Sequence, residues 1–251
     1  MTIAYFDCPT GISGDMCLGA LVSAGVPLEY LQQIIQQLGC GDQIQLTQQL
    51  VHRQGQIATQ VKIELAHEHH HRHLSEIEQI IQTANLPSQI EAWSLASFRC
   101  LAAAEAAVHG ISIEAVHFHE VGALDAIADI VCTCAGLVWL GVEQIHSSSL
   151  PTGGGYVNCA HGRLPVPAPA VLKLWETHHI PVFSNGIAAE LVTPTGAAIL
   201  SALTTEFGEV PPMQIETVGL GAGTKDFNIP NILRLWLGQP LAVKKKVHPH
   251  P

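Results

Sequence analysis

Charged and aromatic residues are scarce in this sequence. Of its 251 residues, 13% are charged and 5% are aromatic, whereas 47% are hydrophobic. Few charges and many hydrophobic residues exclude extended disorder and indicate a compact core. Lys and Arg number 11 against 21 Asp and Glu, which gives a net charge of −10. A broad basic surface is therefore excluded, and we expect no nucleic-acid partner.

Long hydrophobic runs and a disulfide pattern are also missing. The longest uncharged hydrophobic stretch, residues 130–142, is shorter than the roughly 20 residues of a membrane-spanning helix. No basic leader precedes residues 3–6, and the seven cysteines are scattered over the chain. We therefore expect a cytoplasmic protein without a membrane partner. Cys132 and Cys134 lie in a helical pattern that points them to different faces, so we interpret them as structural thiols.

Strand and helix patterns alternate from end to end. The strands are predicted at 1–7, 116–121, 143–148, 214–220 and 231–237, with a hairpin at 43–65. The helices are predicted at 16–24, 28–38, 74–83, 87–109, 124–140, 167–176 and 195–207. This order predicts an α/β fold with a mixed sheet layered by helices, and leaves open a separate helical lobe at 74–110. Residues 239–251 are expected to form a disordered tail.

Histidine is abundant, with 15 residues. Five lie within seven positions: His67, His69, His70, His71 and His73. Imidazole binds nickel, zinc and copper, and such a run offers several alternative sets of ligands. The run resembles a loose metal-collecting segment more than a fixed catalytic site. A solvated loop without function is the alternative.

A second group of ionisable residues lies between 117 and 129. On a strand, His117 and His119 project to the same face, and on the following helix Asp125 and Asp129 share a face. With Glu120 they form either a metal site or a base held by an acid. The alternative is a pair of half-buried histidines that hydrogen-bond a turn, with Asp125 at a helix N-terminus.

Four loops rich in glycine or threonine form a third group. Residues 10–15 connect a strand to a helix, where backbone amides favour a phosphate, although the lysine of a P-loop is missing. The other loops are residues 152–155, 193–196 and 219–223. The residues that we consider for ligand binding are Gly11, Ser13, Gly14, Gly153 and Thr195. A tightly turned α/β fold also uses such loops without any ligand.

Taken in order, the motifs resemble the LarC family, the nickel-insertion proteins of nickel-pincer cofactor synthesis. The resemblance extends from about residue 2 to residue 238. The matching segments are 6–8, 11–16, the His-rich run, 117–123 with Asp125, 160–162, 165–169, 190–198 and 219–224. Together the ordered motifs are specific, although each one alone is weak. Residues 1–238 are accordingly interpreted as the N-terminal nickel-insertion domain of that family.

The resemblance implies an activity. Nickel would be inserted into pyridinium-3,5-bisthiocarboxylic acid mononucleotide, with formation of two nickel–sulfur bonds and one nickel–carbon bond. Such a chelatase or cyclometallase belongs to the lyase class, and apo nickel-pincer enzymes such as lactate racemase use the product. In the family the reaction depends on CTP with a divalent metal, bound by a following C-terminal domain that we expect to be absent from this sequence. A homo-oligomer stays open.

The resemblance also suggests roles for residues. His117 and His119 would hold Ni²⁺, and Glu120 or Asp125 would complete the shell or take the ring proton. We expect Asp7 and Asp15 to line the same pocket. The phosphate and thiocarboxylates would rest on the loops of Gly11, Gly14 and Gly153, and the run from His67 to His73 would collect nickel.

Two other classes of protein remain open from the residues themselves. The first is a non-catalytic nickel store or metallochaperone, whose function would reside in the histidine run. The second is a metal-dependent hydrolase that uses His117, His119 and Asp125 with an activated water. Several weakly bound ions per chain would favour the store, and one bound zinc would favour the hydrolase.

Overall fold

The computed structural model describes residues 1–66, 72–118, 124–159 and 162–241. The helices in these ranges are α1 (Gly14–Ser23), α2 (Leu28–Gln37), α3 (Leu74–Thr83), α4 (Ser88–His109), α5 (Leu124–Trp139), α6 (Pro169–His178) and α7 (Pro194–Leu203). The strands are β1 (Thr2–Asp7), β2 (Ile44–Arg53), β3 (Gln56–Leu65), β4 (Arg72–His73), β5 (His117–Phe118), β6 (Val142–Ser147), β7 (Leu150–Pro151), β8 (Tyr156–Cys159), β9 (Gly162–Pro165), β10 (Val182–Phe183), β11 (Glu206–Phe207), β12 (Met213–Ala222) and β13 (Ile232–Pro240). His67, His69, His70, His71, His119 and Glu120 lie outside the described residues.

Seven strands form one mixed sheet in the order β11-β6-β1-β13-β12-β3-β2. Strands β1, β6 and β11 run parallel, and β13 pairs antiparallel with both β1 and β12. Strand β12 therefore runs in the same direction as β1. The predicted fold class, a mixed α/β sheet layered with helices, is confirmed.

Three helices begin near the edge of the sheet where β1 and β6 end. Helix α1 follows β1, whereas α5 leads into β6 and α7 leads into β11. The first turn of α1 packs against the N-terminal half of α5, and the loop before α1 packs against the first turn of α7. A Cβ on Gly14 would lie 2.1 Å from Asp129 Cγ, and one on Gly196 would lie 2.5 Å from the Ile12 carbonyl oxygen. The carboxyl edge of a parallel sheet is where ligands bind in open α/β folds, so this arrangement positions the candidate site.

The buried core is continuous between the sheet and the helices. Ala4 and Phe6 of β1 pack in the same cluster as Ile81 of α3 and Phe98 of α4. The ring of Phe98 meets Phe118 edge to face, with centroids 6.4 Å apart. Helices α3 and α4 thus share the core of the sheet.

The two neighbouring cysteines of α5 face different partners, as predicted. Cys132 Sγ lies 3.7 Å from the Leu31 carbonyl oxygen of α2. Cys134 faces Ser94 and Ser97 of α4, and its pKa rises to about 12 because it is buried. Both thiols are buried and free, so they pack as small hydrophobic groups.

The segment 204–207 differs from the sequence prediction. The helix predicted at 195–207 ends at Leu203, and β11 follows as an edge strand beside β6. The Thr205 N–H donates to the Ile145 carbonyl oxygen at 2.7 Å. Pairing with the sheet satisfies these backbone groups and outweighs the helical pattern, which is a weak local preference. Strands β7 to β10 were not predicted. Strand β5 is the described part of the strand predicted at 116–121.

Candidate functional site

A short ladder between β4 and β5 places two histidines side by side. Arg72 pairs with Phe118, and His73 pairs with His117. The two imidazole rings are 3.7 Å apart, centroid to centroid. His117 is exposed and His73 is half-buried. The end of the histidine run therefore lies directly against the second histidine motif.

The surroundings of this pair fix its backbone. His73 begins α3, and its N–H donates to Glu76 Oε2 at 2.7 Å. Phe118 anchors β5 in the core with 2% of its surface exposed. His73 Nδ1 is shielded from solvent and has no hydrogen-bond partner among the described residues. The pair is thus held on an ordered frame.

Three aspartates lie where α1 and α5 begin. Asp125 is in the first turn of α5, Asp129 one turn further, and Asp15 in the first turn of α1. Asp129 packs against Gly14, and its Oδ1 is inaccessible and has no hydrogen-bond partner within the described ranges. Asp15 accepts from the Ser13 hydroxyl and, at 2.9 Å, from the Met16 N–H.

Burial changes the acidity of two of these carboxyls. The pKa of Asp129 is raised well above its ordinary value, first by desolvation and then by the charges of Asp15 and Asp125. The pKa of Asp15 is also raised by desolvation, although its bonds from Ser13 and Met16 oppose the shift. A carboxylate with a raised pKa is a stronger base than an ordinary carboxylate.

A small cavity collects residues from several of the predicted loops. Its volume is about 160 Å³, roughly the space of five water molecules. Three segments line it, namely the loop after β1, the turn before α7 and the loop after β12. The polar side chains of these segments are Thr10, Ser13, Asp15, Glu190, Thr193, Thr224, Lys225 and Asn231. The structure thus brings together three of the four loops.

The glycines of these loops allow backbone segments to approach closely. A Cβ on Gly11, whose φ is +96°, would lie 1.9 Å from the Leu191 carbonyl oxygen. A Cβ on Gly153 would lie 2.2 Å from the Ala189 carbonyl oxygen. Gly153 therefore packs against the 187–189 segment. Thr195 is buried in the first turn of α7. Packing within the protein accounts for both glycines.

Asp7 lies in a different place from Asp15. It lines a separate cavity of about 410 Å³ with Tyr5, Ser148 and Glu209, and it forms an ion pair with Arg234. Burial raises the pKa of Asp7, and the Arg234 charge opposes the shift. The expected single pocket for Asp7 and Asp15 is therefore not found.

Sequence reasoning did not single out Lys225 or Arg234. Lys225 directly follows the 219–224 motif, so that motif could have indicated it. Arg234 faces Asp7 only through the pairing of β1 with β13, and no local pattern signals that register.

The predicted metal ligands are brought together in part: in the described residues no three His, Cys, Asp or Glu side chains form a metal-binding group. None of the described helices has the length and hydrophobicity needed to cross a membrane.

Fold and site together define an α/β protein that presents a pair of histidines and a separate group of buried carboxyls. Residues 4–249 match the family described as nickel insertion protein, and the chain belongs to that family. The resemblance drawn from the sequence motifs is thereby confirmed. Nickel is the metal that the family description names.

Relatives are named in several cyanobacteria. A Synechocystis sp. protein named "Putative nickel insertion protein" is 60% identical to this chain over 99% of its length. A Cyanothece sp. protein of the same name is 61% identical over 94% of the chain. A third relative of that name, from Nostoc sp., is 59% identical over 94% of the chain. The chain spans about 60% of the length of these relatives. A search of solved structures found no match.

Proposed function

We propose that this protein binds Ni²⁺ as a substrate and inserts it into pyridinium-3,5-bisthiocarboxylic acid mononucleotide. The observation that carries the proposal is the contact between His73 and His117, in a chain that belongs to the nickel insertion family. The product would serve apo nickel-pincer enzymes of the lactate racemase type. The reaction is that of a chelatase or cyclometallase of the lyase class, acting in the cytoplasm.

The histidine pair supplies nitrogen donors on neighbouring strands. Imidazole nitrogen is a suitable ligand for Ni²⁺, and a frame that fixes both rings lowers the entropy lost on binding. In this proposal His73 joins His117 and His119 in the inner set, and His67, His69, His70 and His71 collect the ion. The substrate's own sulfur atoms complete the coordination.

Formation of the nickel–carbon bond releases a proton from the pyridinium ring. A nearby base must take that proton while the electron pair of the C–H bond passes to the new bond. Asp15 is one candidate acceptor, because burial raises its pKa. Glu120 and Asp125, which lies in the first turn of α5, remain candidates for the same role.

The small cavity suits the phosphate of the mononucleotide. Ser13 and Thr193 precede the helices α1 and α7, whose N-termini favour negative charge. Lys225 adds a positive charge at the rim, where its Nζ lies 3.5 Å from the Glu190 carbonyl oxygen. A volume of about 160 Å³ holds a phosphate but not the whole mononucleotide. CTP and its divalent metal would act through the C-terminal domain that the family resemblance implies.

Calorimetric titration with Ni²⁺ tests the metal half of the proposal. We expect one tight site in the native chain that is lost in a His73→Ala/His117→Ala variant, with affinity lower by about 100-fold, or about 2.7 kcal/mol. The matched control replaces His67, His69, His70 and His71 by Gln and keeps Arg72 and His73, because these two residues form β4. The control should keep the tight site. Loss of the tight site in the control, with retention in the double variant, would overturn the assignment.

Addition of the mononucleotide tests the insertion half. We expect the precursor with CTP and a C-terminal domain supplied from a relative to consume one Ni²⁺ per precursor and to release a proton. Several weak ions per chain, with no response to the precursor, would instead identify a nickel store. Hydrolysis of a phosphate ester by a zinc-loaded chain would identify a hydrolase.

A further inference from the structure

A cysteine and a histidine meet away from the site described above. Cys100 lies on α4 and His178 ends α6, and the two helices pack against each other. The distance between Cys100 Sγ and His178 Nε2 is 3.8 Å. Both side chains are half-buried and line a cavity of about 370 Å³ with the apolar residues Ala104, Ile113 and Leu174. The pair is therefore reachable by a small ligand.

The electrostatics of the pair favour two neutral groups. Burial raises the pKa of Cys100, and burial together with the neighbouring His179 lowers the pKa of His178. A thiolate–imidazolium pair, as a cysteine nucleophile needs, is thus disfavoured. A neutral imidazole instead offers its nitrogen lone pair to a metal ion without competition from a proton.

The spacing of the two donors selects a coordination geometry. With bonds of about 2.3 Å to sulfur and about 2.05 Å to nitrogen, a tetrahedral ion holds its donors about 3.6 Å apart. For the same bond lengths, adjacent donors of a square-planar ion are about 3.1 Å apart. The observed 3.8 Å is close to the tetrahedral value. Zinc prefers that geometry and takes both thiolate and imidazole ligands.

We propose that Cys100 and His178 form a second metal site, which binds a tetrahedral thiophilic divalent cation of the zinc type. On binding, the S–H bond breaks, a sulfur–metal bond forms and the proton passes to solvent. Water molecules in the cavity complete the shell. This site does not depend on the nickel function, because none of its residues belongs to the histidine pair or to the aspartate group.

Alkylation of Cys100 by iodoacetamide, followed by mass spectrometry of its peptide, gives a readout confined to this site. Of the other cysteines, Cys8, Cys17, Cys40, Cys132 and Cys134 are buried. Zn²⁺ should slow the reaction of Cys100 by about tenfold or more in the native chain. His178→Gln should remove most of this protection. The matched control is His179→Asn, because asparagine tolerates the left-handed backbone of that position, where φ is 52°, and protection should persist there.

Unchanged protection in His178→Gln, or no protection by Zn²⁺ in the native chain, would overturn the proposal. Circular dichroism establishes that the variants are folded. A second measurement uses Co²⁺ as a spectroscopic substitute for zinc. A thiolate-to-cobalt charge-transfer band with tetrahedral visible bands should appear in the native chain and disappear in Cys100→Ser. Octahedral cobalt bands alone would contradict the site.

Discussion

The histidine pair and the aspartate group are built in opposite ways. His73 and His117 lie side by side on two-residue strands, and His117 is exposed. Asp15 and Asp129 lie between packed helices, where burial raises both pKa values. Exposed imidazoles can exchange ions with solvent without disturbing the core. For the buried carboxyls, in contrast, gain or loss of a proton changes the free energy of unfolding.

This contrast separates two demands of metal insertion. Capture of an ion needs donors that water can reach, and removal of a ring proton needs a base with a raised pKa. In the function that we propose, the histidine pair would meet the first demand and a buried carboxyl the second. Three substitutions would sharpen or break this contrast, and we order them from the largest expected effect on stability to the smallest.

Gly14→Ala should have the largest effect. Its new Cβ would lie 2.1 Å from Asp129 Cγ, so the helices must separate or the carboxyl must move. We expect a loss of about 3 kcal/mol in the free energy of unfolding, measured with urea. Helix propensity alone would predict a gain of about 1 kcal/mol, so the sign decides between packing and propensity.

A double variant identifies Asp129 as the source of that loss. Gly14→Ala should cost less in an Asp129→Gly background, because this change also removes Asp129 Cβ, which would lie 2.4 Å from the new Cβ. Equal costs in the two backgrounds would contradict the contact.

Asp129→Asn should have a smaller effect of opposite sign. In the unfolded chain Asp129 has a pKa of about 3.9. In the folded chain the pKa is higher, so Asp129 keeps its proton to a higher pH. Stability contributed by that proton is therefore lost as the pH rises towards the raised pKa. We expect Asn to add about 1–2 kcal/mol at pH 7 and to flatten stability against pH, as measured by urea unfolding from pH 4 to pH 8.

The matched control for this variant is Asp42→Asn, because Asp42 is exposed. It should change stability by less than about 0.5 kcal/mol at any of these pH values. A steeper pH dependence in Asp129→Asn than in the native chain would contradict the assigned direction.

His73→Ala/His117→Ala should have the smallest effect on stability. Because one ring is exposed and the other half-buried, we expect a change of about 0.5 kcal/mol in urea unfolding, although nickel affinity falls strongly. A loss above about 2 kcal/mol would mean that the pair belongs to the folding core, and the contrast with the aspartates would fail.

Elements with local signals could be predicted from the sequence. The hairpin turn at 54–55 and the apolar period of α5 both led to the observed structures. The aspartates of α5 share a face because a helix repeats every 3.6 residues. These features depend on neighbours in the chain, and a pattern within a short window contains them.

Features that depend on long-range register could not be predicted. Nothing in the sequence pairs His73 with His117, because two-residue strands have almost no pattern of their own. Strand β11 was read as helix for a similar reason, since its partner β6 is distant in the chain. The same holds for Arg234 beside Asp7. The sequence thus indicated the motifs of the candidate site separately. Only the structure shows which of them are neighbours.

The shortness of the β4–β5 ladder has a kinetic consequence. A ladder of two residue pairs is held by few backbone hydrogen bonds, so it can open locally at a small fraction of the free energy of global unfolding. Amide hydrogens at 72–73 and 117–118 should then exchange faster than those of β1. An ion shared by both rings would slow this exchange, because it would tie the two strands together.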